Sequence, residues 1–181
     1  MKTKFYALVA AVILTAGAIS AQSKTYVNVS LQGGYVANSE QDKKIGIGGT
    51  VAIMQQDFLF NAEKNYLTLT IKGFNNPILD GKFITSILND ERDCFNYVAP
   101  MLGYRMTTGS AANGFYVEPR VGYAFLASPG KAFLVAPQVG YAFNGFDVAL
   151  FGDLGFSGKP TVAGPENFYT VGLSIGYNIG L

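Results

Sequence analysis

Six side chains in this sequence have types and spacings that could do chemistry. Lys72, Arg105, Glu118, Arg120, Asp147 and Asp153 each fall within a run of alternating apolar residues, where a charge is costly unless it is partnered. Carboxylates in such places could act as general acids or bases, and Glu118 with Arg120, two residues apart, could form a polar filter in a narrow, porin-like pore. The catalytic options narrow quickly. The 181-residue chain contains no histidine, which removes Ser-His and Asp-His arrangements. Asp147 and Asp153 are separated by ~20 Å in an extended chain, too far for a carboxylate pair. One cysteine, Cys94, and no histidine leave no Cys/His metal cluster and no internal disulfide. The expectation is no catalytic residue, no metal and no cofactor. The six charges, three of each sign, then read as a lumen network that neutralises itself.

The elements that carry them are strands. A ten-residue phrase occurs three times, as YVAPMLGYRM from Tyr97, YVEPRVGYAF from Tyr116 and LVAPQVGYAF from Leu134. The offsets of 19 and 18 residues suit one long strand plus a turn. Within each copy apolar side chains alternate, as in Val117, Pro119, Val121, Tyr123 and Phe125, and a period of two is a strand signal. Five further segments alternate in the same way, giving eight. Each is ~10 residues or longer, enough for a tilted strand to cross a bilayer. Asn144-Gly145 is the signature of a two-residue hairpin. The longest connection, residues 76–93, could hold a short helical turn at 84–88. Proline recurs at one position of the repeat, as Pro100, Pro119 and Pro137. It removes a ladder hydrogen bond, so a bulge or bend is expected there.

The charges decide which face looks outward. All six fall opposite the apolar stripes. A soluble barrel would turn eight stripes of Val, Leu, Ile, Tyr and Phe into an interior just wide enough for ordinary side chains, and would overfill it. It would also expose a face of Gly, Ala, Thr and Asn with few of the charges that cover soluble surfaces. A secreted lipocalin-like carrier is the soluble alternative, and an outer-membrane lipid-modifying enzyme is a weaker one. The fold class expected is all-β: an antiparallel up-and-down eight-stranded transmembrane β-barrel, its apolar stripe toward lipid and a lumen of small residues and paired charges. Closure removes every sheet edge, as the bilayer interior requires. Tyr35, Tyr104, Tyr123, Phe125, Tyr141, Phe143, Phe146 and Phe156 lie near strand ends on the lipid face, where interface girdles form.

The N-terminus agrees. Lys2 and Lys4, the apolar run from Phe5 to Ala16 and the small residues around Ala21 read as a cleaved signal peptide. Two regions are expected: a signal peptide at 1–21 and the barrel at 22–181, one domain by length. Without Lys2 and Lys4 the chain carries 11 basic and 12 acidic side chains, a balance that argues against nucleic acid as a partner.

The signal peptide, the P-x-x-G-Y repeats and a last strand ending LSIGYNIGL resemble the small outer-membrane β-barrel proteins of Gram-negative bacteria, the OmpA-type transmembrane domain, OmpX and OmpW among them. The resemblance covers the whole segment after the signal peptide. It implies residence in the cell outer membrane, with outer-membrane lipid and the barrel assembly machinery as partners. It also implies an assembly signal in the final strand: Leu173, Ile175, Tyr177, Ile179 and Leu181 match its alternation, with Leu181 where the family usually ends in phenylalanine. The role implied is structural, adhesive or that of a narrow pore. An even strand count puts both strand termini on the periplasmic side, and the longest connection outside.

Overall fold

The computed structural model describes residues 24–37, 44–56, 64–76, 95–126, 130–158 and 167–181. The expected signal peptide, the expected helical turn at 84–88, Cys94 and most of the longer connections lie outside the described residues.

The described elements are β-strands: β1 Thr25–Val36, β2 Ile45–Gln56, β3 Asn65–Asn76, β4 Phe95–Thr107, β5 Gly114–Glu118, β6 Arg120–Leu126, β7 Gly130–Val135, β8 Gln138–Phe143, β9 Phe146–Phe156 and β10 Asn167–Gly180. They make eight staves. β5 and β6 are one stave interrupted at Pro119, and β7 and β8 are one interrupted at residues 136–137. Every pairing is antiparallel between sequence neighbours, and β10 closes the ring against both β9 and β1, from Tyr26↔Gly180 to Val36↔Thr170. The result is an up-and-down barrel with no free edge.

Of the bulge or bend expected at the prolines, the bulge does not form. Glu118 opposes Gln138 and Val121 opposes Val135 at one constant offset. No residue is inserted, and Pro119 and Pro137 stand opposite each other. Their carbonyls still accept ladder bonds, from Tyr104 N at 3.1 Å and Gly152 N at 2.9 Å. The expected bulge is therefore absent, and only the donor half of each ladder bond is lost. The Asn144-Gly145 turn forms as its dipeptide predicts, with both residues at positive φ (49° and 89°).

Burial is inverted relative to a soluble protein. The stripes face outward: Leu31 is 77 % exposed and Ile45 71 %, whereas Lys72 and Asp153 are fully buried inside the ring. Outward aromatics form a connected row at the hairpin end, Phe115–Tyr141–Phe143–Phe146–Tyr177, with centroid spacings of 4.6–6.3 Å. Phe115 extends the girdle beyond the residues expected from sequence.

The interior corrects one expectation. Besides small residues and charges, the lumen holds the rings of Tyr66, Phe74, Tyr97, Tyr116, Phe151 and Phe168, all buried. Lumen-facing glycines make room for them. A Cβ on Gly140 would lie 2.6 Å from the Tyr116 ring, one on Gly46 2.6 Å from Phe74, and one on Gly155 would collide with Phe168. Large rings set against bare backbone are how a narrow barrel fills its taper.

Candidate functional site: the lumen charge network

All six charges expected in the lumen are there, each at most 3 % exposed. Strand alternation aims them inward, and the barrel register sorts them into two groups and one outlier.

The group nearer the hairpin end is centred on Arg105 of β4. Its Nε donates to Glu118 Oε2 at 2.7 Å and its Nη1 to Asp147 Oδ2 at 3.0 Å. Its guanidinium also stacks on Tyr116, 3.8 Å from the ring centroid. Both carboxylates are tied further. Thr68 Oγ1 donates to Glu118 at 2.9 Å, Tyr116 OH to Asp147 at 2.6 Å and Asn178 Nδ2 to Asp147 at 3.2 Å. Gln138 and Asn28 complete the shell, donating to Tyr116 OH and Asn178 Oδ1. Arg105 thus ties three staves together directly, a geometry that suits arginine's fork, and the surrounding hydrogen bonds extend the group to seven.

The group nearer the loop end joins Lys72 of β3 to Asp153 of β9 at 2.6 Å, with Tyr97 OH on the same oxygen, also at 2.6 Å. The Lys72 ammonium sits 3.8 Å from the Phe151 ring centroid, a contact that partly replaces lost water.

Arg120 departs from expectation. It has no carboxylate within salt-bridge distance among the described residues; its Nε donates to the Ala136 carbonyl at 3.0 Å, and its Nη2 has no hydrogen-bond partner. Arg105 takes two carboxylates and leaves Arg120 none. The balance of the lumen is global, because the Arg105 group carries one excess negative charge and Arg120 one positive charge. The reason is register: Arg120 opposes Gly103, whereas Glu118 lies within reach of Arg105.

Apolar clusters close both ends of the network. At the loop end Val36, Phe74, Tyr97, Leu134, Phe151 and Phe168 pack together, with Tyr97–Phe168 ring centroids 5.3 Å apart. At the hairpin end Met54 and Tyr66 pack against Ala111, which the β4–β5 turn carries under the barrel mouth. The turn is pinned there: Asn144 N donates to Asn113 Oδ1, and Gly145 N to Ala112 O. The sequence reading missed these stoppers, although the alternation that placed Tyr97 and Tyr116 at the heads of two repeats also puts their rings inside.

The final-strand residues Leu173, Ile175, Tyr177, Ile179 and Leu181 lie in register on the outer face, 44–76 % exposed. Asp147 and Asp153 belong to separate groups, and among the described residues no set of His, Cys, Asp and Glu could hold a metal ion.

No protein-family profile and no curated protein sequence matches the chain. Among solved structures the chain is similar to the crystal structure of Neisserial surface protein A (NspA). The match covers 86 % of this chain and 96 % of that one at 11 % sequence identity, with a TM-score of 0.52. At that identity the likeness is one of fold: a small barrel of the same architecture.

Proposed function

We propose that this chain is an integral outer-membrane β-barrel protein with a structural or adhesive role, and that its lumen is a bonded plug. The observation that carries the membrane assignment is the inversion of burial, with the six lumen charges inside and the aliphatic and aromatic stripes outside. In water that exterior would be one continuous apolar surface, far beyond the few hundred Å² a soluble monomer tolerates. A soluble carrier is disfavoured for the same reason, since its cavity would hold ion pairs where a ligand needs apolar walls. The NspA-like fold supports the outer membrane as the location. Membrane lipid and the assembly machinery are the partners this reading requires, and nucleic acid is not one.

A plug is favoured over the narrow pore by the two stoppers and by the ion pairs that span the bore between them. The absence of histidine from the sequence and the separation of the carboxylates disfavour an enzyme. Planar-bilayer recording on refolded protein tests the plug: the expected result is a quiet baseline. Reproducible unitary conductance steps from the folded barrel would overturn it and revive the pore.

A further inference from the structure

Lys72 and Asp153 stand apart within the lumen network. The group around Arg105 is built on a guanidinium, which stays protonated and is no nucleophile. Lys72 is an amine, and an amine becomes a nucleophile once it gives up a proton. Its Nζ lies 2.6 Å from Asp153 Oδ2, with both side chains fully buried. The hydroxyl of Tyr97 donates to that same oxygen, also at 2.6 Å. The shell around the pair is apolar. The Lys72 nitrogen is 3.8 Å from the Phe151 ring centroid and 5.8 Å from that of Phe74, and the rings of Phe74, Tyr97 and Phe151 are all buried.

Two features of this contact go beyond an ordinary ion pair. An N···O separation of 2.6 Å puts Nζ ~3–3.5 Å from the carboxyl carbon, the distance at which bound groups are poised to react. The other feature is the second carboxylate oxygen. Asp153 Oδ1 is buried and accepts no hydrogen bond, so the ion pair holds a half-satisfied charge away from water, which is costly. An amide in its place carries no charge. With water shut out, the ammonium and the carboxylate lose the hydration that keeps them inert in solution, and release of a water molecule to bulk pulls condensation forward.

We infer that Lys72 and Asp153 condense to an intramolecular isopeptide bond once the barrel has formed. Nζ bonds to the Asp153 carboxyl carbon, the bond from that carbon to Oδ2 breaks, and Oδ2 leaves as water with two of the three ammonium protons. Tyr97 serves the leaving oxygen: its hydroxyl hands a proton to Oδ2 and recovers one from the nitrogen, acid and base work in one side chain. Asp153 Oδ1 becomes the amide oxygen. No oxidant or cofactor enters. β3 and β9 are the third and seventh of the eight staves, so the bond is a covalent strut across the bore between strands that share no ladder. The inference stands on the geometry of the lumen and goes beyond the plug; it does not depend on the membrane assignment.

Mass spectrometry tests it on one batch of chain, weighed unfolded in urea before any folding and again after refolding into bilayers. The folded protein is expected to be lighter by the mass of one water, and proteolysis should yield a branched peptide joining Lys72 to Asp153. Tyr97→Phe should form the bond about 10²-fold more slowly, at the low end of what a positioned acid–base group supplies. The double variant Lys72→Met, Asp153→Leu removes both groups without stranding a charge and should keep its full mass. Folded wild type at full mass, with Lys72 and Asp153 recovered in separate unmodified peptides, would overturn the inference. Loss of one water from the double variant would overturn it too, because the reacting groups would then lie elsewhere. Condensation at the wild-type rate in folded Tyr97→Phe would contradict the role given to Tyr97.

Discussion

Arg105 is fixed on three sides, by Glu118, by Asp147 and by the Tyr116 ring, and the cost of removing it is mostly the cost of what remains. Arg105→Met keeps the length and apolar stem but strands two buried carboxylates. Breaking a buried pair in this way typically costs ~3–5 kcal/mol. Urea unfolding from bilayers should show a loss of about that size, and adding Glu118→Gln and Asp147→Asn should recover much of it by removing the stranded charges. A wild-type midpoint for Arg105→Met would mean that the cluster is solvated. At this scale the sequence told which side of the sheet each charge occupies, because a period of two leaves only two choices. Partners were not legible. They depend on register between strands, and no local signal indicated that Arg105 would take two carboxylates while Arg120 turned to the Ala136 carbonyl. Space was equally hidden. Gly122 faces the lumen by alternation, which by itself leaves room for a side chain, yet a Cβ there would strike the Pro100 carbonyl oxygen of the next strand.

At the scale of elements, the stripes and the repeat indicated eight staves, the number observed, and what failed was local. A proline in a closed sheet was expected to force a bulge or a bend, and the bulge is absent. Instead Pro119 and Pro137 face one another in an unbroken register, and each carbonyl keeps its bond to the strand on its other side. β7 begins at Gly130, ahead of the repeated phrase at Leu134, because the phrase marks likeness between copies and not the limit of pairing. Between β9 and β10 a glycine and a ring are matched: Gly155 opposes Phe168, and a methyl on Gly155 would run into that ring. Gly155→Ala is therefore expected to destabilise the barrel by ~1–3 kcal/mol through overpacking. Phe168→Leu in the same chain should return part of the loss, so that the double variant is more stable than the sum of the singles predicts. Additive losses would show that the ring and the glycine do not compete for space.

At the scale of the molecule one inversion decides where the protein resides. An eight-stave ring could bury either face, and the residues choose: Leu31, Leu102, Leu150 and Ile175 lie outside, each at least 60 % exposed, while Lys72, Glu118 and Asp153 lie inside. That choice was legible because lipid and water demand opposite patterns on the outer face. The aromatic stoppers were not, since alternation turns such rings inward without saying which of them meet across the bore. The most direct measurement is the folding free energy of Leu31→Arg in lipid bilayers, compared with wild type and with Leu31→Phe. Leu31 is outward and close to the middle of β1, where an arginine facing hydrocarbon should cost ~2–4 kcal/mol and phenylalanine should cost little. If Leu31→Arg folds as stably as wild type, or more stably, the outer face meets water and the membrane barrel is contradicted.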